Sequence, residues 1–202
     1  MIVMPSSNGQ SVVHFWAGRG YPVGWLFTPG RTPNPKPWLP YAIDNGKFGV
    51  YIHGKPWEEE KFFITLRHFQ GQEIPPRWAA VPDVVANKEE TLKAWENWFP
   101  RLSEEFSFNW AFVAQDGMTP CDVPTDADVV FIGGSKAWKW KNAKLFSESF
   151  PRVHIGGVNS THYLNYSKSL GVESVDGSGW FRGPRMTERL ENWFRGEAGE
   201  IS

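Results

Sequence analysis

The stretch from Val129 to Asp176, VVFIGGSKAWKWKNAKLFSESFPRVHIGGVNSTHYLNYSKSLGVESVD, decides how this chain is read. Val129 to Ile132 is a short apolar run of strand length, and Val153 to Ile155 and Ser174 to Asp176 read as strands of similar length. Between them, Ala137 to Glu148 reads as a basic helix and Ser160 to Leu170 as a second helix. Strands that alternate with helices predict a parallel sheet joined by crossovers, and so an α/β domain.

The same alternation extends outward. Thr187 to Arg195 predicts a final amphipathic helix, with a frayed tail from Gly196 onward. Upstream, Trp110 to Ala114 is a strand and Met118 to Asp128 a loop. Asn87 reads as an N-cap, with Glu89 and Glu90 in the first turn of a helix whose apolar face carries Leu92, Trp95, Trp98, Phe99 and Leu102. Trp78 to Val81 and Tyr41 to Asp44 are strands, and Trp57 to Phe69 between them has helical spacing. Gly24 to Phe27 is a short extension or edge, and Val12 to Ala17 is the first strand candidate. Thr28 to Pro37 is a Pro-rich irregular loop, because Pro supplies no N–H to a helix or strand. The expected fold is a compact, trimmed (β/α)8 TIM-type barrel, with a doubly wound open sheet as the competing architecture. A single domain spans residues 1–202, without a linker or an internal repeat.

Composition excludes several classes. The net charge is −1, so any nucleic-acid contact must use local positive charge. Cys121 is the only cysteine, which excludes a disulfide framework and a multi-cysteine zinc site within one chain. The five histidines, His14, His53, His68, His154 and His162, show no metal-ligand spacing and read as structural or surface residues. The N-terminus lacks a signal-peptide pattern, and no apolar run approaches the roughly 18 residues of a membrane span. These features predict a soluble cytoplasmic protein. The 12 Trp residues suit core packing, and some suit base stacking.

The chemistry collects where apolar runs end. Asp44, Asp83 and Asp176 follow strand-like segments, and in a β/α barrel such ends converge on one mouth. Paired carboxylates can divide into nucleophile and general acid/base when their environments push their pKa values apart. A carboxylate nucleophile suits a sugar anomeric carbon, and a further carboxylate can accept from the N–H edge of a guanine-like base. Gln115 offers a donor and an acceptor, and Gly133 and Gly134 let a ligand approach the backbone. Gly177-Ser178-Gly179 resembles an anion-binding turn, and Arg182 is placed to meet a phosphate. Lys136, Lys139, Lys141 and Lys144, interleaved with Trp138 and Trp140, read either as a nucleic-acid contact or as a solvated helix face.

Taken in order, these phrases resemble the tRNA-guanine transglycosylase superfamily, in particular its short DNA-directed, phage-type members. Tyr41-Ala42-Ile43-Asp44-Asn45-Gly46-Lys47-Phe48 is similar to the family's Asp-Ser-Gly-Gly-Phe segment, and Val81-Pro82-Asp83 to the segment whose Asp reads the guanine edge. Val113-Ala114-Gln115-Asp116-Gly117 resembles the Val-Gln-Gly-Gly segment, and Phe131-Ile132-Gly133-Gly134-Ser135 the Ile-Gly-Gly segment. Gly171 to Asp176 resembles the strand that ends in the nucleophilic Asp. The likeness runs from about residue 12 to 183. It departs from the family at Asn45-Gly46-Lys47, where Ser-Gly-Gly is usual, and in lacking the cysteines of the tRNA enzymes' structural zinc. Those departures, with the short chain, favour DNA over tRNA and leave room for a homo-oligomer.

The resemblance implies a β/α barrel that exchanges guanine in a polynucleotide for a 7-deazaguanine. Asp176 would attack C1′, and Asp44 would shuttle the proton on the departing and incoming ring nitrogen. Asp83, Gln115 and the Gly133–Gly134 backbone would hold the base, with Lys136, Lys139 and Arg182 near the nucleic acid. No cofactor, metal or membrane partner is implied. Two rivals remain at this point: a nucleoside or sugar-phosphate hydrolase on the same barrel, and a non-catalytic module that binds deazaguanine or modified DNA.

Overall fold

In the computed structural model the second to eighth strands pair in sequence order, and the last strand also pairs with the first. The strands are β1 (Ile2–Met4), β2 (Trp25–Phe27), β3 (Tyr41–Ile43), β4 (Ala79–Ala80), β5 (Trp110–Ala114), β6 (Val129–Ile132), β7 (Val153–Ile155) and β8 (Ser174–Asp176). All pairings are parallel, in the order β1-β8-β7-β6-β5-β4-β3-β2. The ring closes between β1 and the entry to β2: Val3 N donates to Pro22 O, and Gly24 N donates to Val3 O, both at 2.9 Å. The architecture is a compact (β/α)8 TIM-type barrel. The structure describes residues 1–6, 10–30 and 34–196.

Helices surround the strands: α1 (Gln10–Gly18), α2 (Lys47–His53), α3 (Glu59–Gln70), α4 (Lys88–Glu105), α5 (Lys136–Ser149), α6 (Thr161–Ser169) and α7 (Pro184–Phe194). Asn87, Ser135 and Ser160 accept from the N–H groups of Glu90, Trp138 and Tyr163, which caps α4, α5 and α6. Among the described residues no helix joins β2 to β3, and only a 3-10 turn (Pro120–Asp122) lies between β5 and β6. Those two connections are where the barrel is trimmed. No helix among the described residues is long and apolar enough to cross a membrane.

Most strand positions are apolar because both faces of the strands are buried. One set of side chains, including Val3, Ile43, Phe112, Ile132, Ile155 and Val175, packs outward into the large core shared with the helices. The alternate set, including Met4, Leu26, Ala42, Trp78, Val113 and Phe131, fills the barrel. The small inward residues Ala42, Ala80 and Ala111 leave room for Trp78 and Phe131, which meet edge-on with ring centroids 5.7 Å apart. Gly24 is dictated by the closure, because a Cβ there would lie 2.6 Å from Pro40 O and 2.9 Å from Ile2 Cγ2.

Several sequence expectations need correction. Val12 to Ala17 is not a strand but the body of α1: Val13 and Trp16 are buried three residues apart, while Phe15 is exposed. A short apolar run does not separate strand from helix by itself. The first strand is Ile2–Met4, and Gly24 to Phe27 supplies a full member of the barrel, β2. The short helix α2 was not anticipated. The expected frayed tail falls beyond Gly196, on residues 197–202, which lie outside the described set.

Candidate functional site

Side chains in a strand repeat their direction every second residue. Stepping two residues on from the inward layer therefore gives the next ring toward the C-terminal mouth. Ala42 leads to Asp44, Val113 to Gln115, Phe131 to Gly133, and His154 to Gly156; Asp176 closes the ring from β8. All of them line one open cavity of ≈ 1120 Å³, together with Asp83, which follows β4. The structure thus brings Asp44, Asp83, Gln115, Gly133, Gly134 and Asp176 to one place, and Lys136, Lys139 and Arg182 line the same cavity.

Asp83 and Gln115 form a fixed unit. Gln115 Nε2 donates to Asp83 Oδ2 at 2.6 Å, and Asn45 Nδ2 donates to Asp83 Oδ1 at 2.8 Å. Gln115 Oε1 accepts from Ala86 N at 2.8 Å, so both functions of this amide are held by the protein. Asn45 is held in turn: its side chain also donates to Val81 O, and its carbonyl accepts from Trp57 Nε1. Lys47 sits 3.9 Å from the centroid of a Trp57 ring. Burial pushes the Asp83 carboxyl up to about 6, although the Asn45 amide, the Lys47 charge and the Gln115 amide all pull it down.

Asp44 is half-buried at the end of β3. Burial, then the charges of Asp176 and Asp83, push its carboxyl up to about 7, against hydrogen bonds from the backbone of Gly46 and Asn45. At neutral pH this group is divided between acid and base. A proton shuttle needs that balance.

Asp176 has different neighbours. Its Oδ2 lies 3.1 Å from His154 Nε2, and its Oδ1 accepts from Gly157 N at 3.2 Å. Gly156 lets the β7 end pass close: a Cβ there would stand 2.5 Å from the Phe131 ring and 3.3 Å from Asp176 Oδ2. Lys139 reaches in from α5 and donates Nζ to Gly156 O. Burial lowers the Lys139 pKa, and the charges of Asp176 and Asp116 oppose that. The Gly133 N–H is committed to Ala114 O, whereas Gly134 takes a left-handed φ of 68° beside Asp116. Asp116 binds Ser135 through its backbone N–H and its hydroxyl, both at 2.5 Å, and so ties the end of β5 to the start of α5.

Three expectations change here. Lys139 is not on an exposed basic face; it is buried beneath the cavity, because α5 turns this residue toward the barrel. Trp140 does not stand free either, for it stacks on Tyr163 with centroids 3.9 Å apart. The Gly177-Ser178-Gly179 turn has its Gly179 N–H taken by Asn159 Oδ1 at 2.6 Å, while Arg182 stays exposed at the rim. Sequence reasoning missed Asn45 and His154. The available signals were a second amide beside Asp44, and a polar residue in the middle of an apolar strand two positions before Gly156.

The mouth carries an apolar rim. Phe48, Tyr51 and Ile52 of α2 are about three-fifths exposed, at 59%, 61% and 59%, and α2 buries no residue. Lys55, Lys61 and Lys136 line the cavity around it.

No family model matches the chain, and no curated protein matches it. Among solved structures, it is similar to one from Burkholderia cenocepacia J2315 that carries the provisional description lyase/mutase. The two are 14% identical, with 96% of this chain and 80% of that chain covered and a TM-score of 0.46.

Proposed function

We propose that this protein is a transglycosylase that exchanges guanine in a polynucleotide, DNA in preference to tRNA, for a 7-deazaguanine base. The observation that carries the reading is the division of carboxylates around one cavity: Asp176 held by an imidazole and a backbone N–H, Asp44 poised at about 7, and Asp83 clamped by two amides. Groups whose environments separate their pKa values can take separate roles.

In this reading an Asp176 oxygen attacks C1′ of the target nucleotide, and the C1′–N9 bond breaks. Asp44 supplies the proton that the departing guanine takes. A glycosyl ester on Asp176 remains. The incoming 7-deazaguanine returns a proton to Asp44 as its ring nitrogen attacks C1′, and the Asp176 carboxylate is released. Each Asp83 oxygen keeps a second lone pair, so the carboxylate can accept from the N–H edge of guanine while Asn45 and Gln115 hold it. Gln115 then acts by positioning Asp83. The exposed Phe48 of α2 and the cavity-lining Lys55, Lys61 and Lys136 support a polynucleotide substrate, since stacking surfaces with positive charge suit unpaired bases. The preference for DNA rests on the single cysteine, which leaves no place for a multi-cysteine zinc site.

The test is exchange of labelled guanine in DNA and in tRNA, run with native protein and with Asp176→Ala. The expected result is label lost from DNA, only with native protein and only when a 7-deazaguanine is supplied. Loss from tRNA alone would keep the mechanism and change the substrate. Guanine released without replacement would point to a hydrolase. Binding of DNA or a deazaguanine with no exchange, unchanged in Asp176→Ala, would point to a binding module.

A further inference from the structure

His154 is a polar side chain inside the barrel for which the exchange chemistry above supplies no role. It is fully buried, as is its neighbour Ser174. Parallel pairing sets His154 on β7 beside Ser174 on β8. Ser174 and Asp176 are two residues apart and share a face. The imidazole therefore spans from one to the other, with Nδ1 2.8 Å from Ser174 Oγ and Nε2 3.1 Å from Asp176 Oδ2.

We infer that His154 is the positioning residue for the Asp176 carboxylate, with Ser174 fixing the imidazole from behind. This inference rests on the reading that Asp176 is the attacking group.

The hydrogen bonds fit one tautomer of the neutral ring. An ionised carboxylate only accepts, so Nε2 carries the proton toward Asp176. Nδ1 of a neutral ring then accepts, and the Ser174 hydroxyl donates to it. The ring cannot turn away, because Trp78 and Phe131 meet it edge-on at centroid distances of 4.7 and 4.5 Å. Neither Ser174 nor His154 is exposed to the cavity, which rules out contact with substrate and leaves an action through Asp176. With Oδ2 held by His154 and Oδ1 by Gly157 N, the carboxylate is fixed at both oxygens. A mobile carboxylate would spend much of its time out of line with C1′, and a misplacement of about 1 Å can cost about 100-fold in rate.

The experiment compares native protein with His154→Phe, His154→Gln and Ser174→Ala. Phenylalanine fills the same apolar space and donates nothing, whereas glutamine returns an N–H close to the position of Nε2. The expected result is a fall in kcat of about 10- to 100-fold for His154→Phe, with KM for DNA and melting temperature near native. His154→Gln should recover most of that loss, and Ser174→Ala should lie between. A folded His154→Phe with native kcat, or a His154→Gln as slow as His154→Phe, would overturn the inference. Imidazole ¹⁵N NMR supplies an arm that needs no activity and no core variant. The His154 signals should report an Nε2-protonated ring whose Nε2 shift moves in Asp176→Ala; a ring indifferent to that change would also overturn it. If native protein exchanges nothing but the ring responds to Asp176→Ala, the positioning contact stands and the transglycosylase reading falls.

Discussion

Gln115 and Asp83 meet at 2.6 Å across 32 residues of sequence, the amide of one strand end gripping the carboxylate of another. The contact makes the cavity floor a preassembled acceptor, because Gln115 is itself held by Ala86 N. Gln115→Leu leaves Asp83 short of one donor and the Ala86 N–H short of its acceptor. The expected outcome is a rise in KM for the base of about tenfold or more and a stability loss of about 1–3 kcal/mol, since a stranded polar group costs that much. Steady-state exchange kinetics and urea unfolding of the variant check both. A variant with native KM would show that Asp83 needs no support from Gln115.

Asp44 and Asp83 are raised from an ordinary 3.8 to about 7 and about 6. The folded chain therefore keeps protons that the unfolded chain would release as the pH rises. Their contribution to stability is full below about pH 4 and is lost as the pH passes through about 6 and 7. Asp44→Asn removes the larger share. The variant should match native stability near pH 4 and exceed it at about pH 8 by on the order of 1–3 kcal/mol, while losing exchange activity. Denaturant midpoints across this range decide it. A native protein that gains stability over the variant as the pH rises would contradict the assignment.

Gly156 lets the end of β7 pass close to Asp176. A methyl group there would meet Phe131 Cε2 at 2.5 Å and Cζ at 3.0 Å, in a ring already wedged against His154. Gly156→Ala should destabilise the fold by about 1–3 kcal/mol through overpacking and depress kcat more than KM. Thermal unfolding together with single-turnover exchange would reveal this. Native values in both would mean that the β7 end gives way freely.

Phe48 and Ile52 of α2 line the cavity and are exposed, and α2 buries no residue. Phe48→Ala should leave stability within about 0.5 kcal/mol of native, as exposed sites usually do. The same variant should weaken binding of a guanine-containing oligonucleotide about tenfold or more, because stacking contributes about 1–3 kcal/mol per base. Fluorescence anisotropy at fixed salt measures it. Unchanged affinity would remove α2 from the proposed nucleic-acid surface.

Much of the fold was legible because its signals are local. β5 and β6 follow from apolar runs, β7 and β8 from their alternation with helices, and the α4 cap from Asn87 with two acidic residues behind it. The strand ends carrying Asp44, Asp83, Gln115, Gly133, Gly134 and Asp176 were legible for the same reason, and they do share a cavity. The β1 strand was not, because three residues take that form only through pairing with β8, at the other end of the chain. The helical α1 was misread because its apolar run is as long as a strand, and only burial of Val13 and Trp16 against the barrel reveals the period.

The sequence by itself determined which residue types stand at the mouth, since strand periodicity and helix capping are written within a few residues. Only the tertiary structure decided what those residues become. The Asp44 carboxyl is pushed up to about 7 because folding buries it and then brings Asp176 and Asp83 beside it. Lys139 leaves the basic helix face for the cavity, and a histidine without metal spacing becomes the partner of Asp176. Each outcome depends on burial and on contacts between distant strands, and barrel closure alone brings those together.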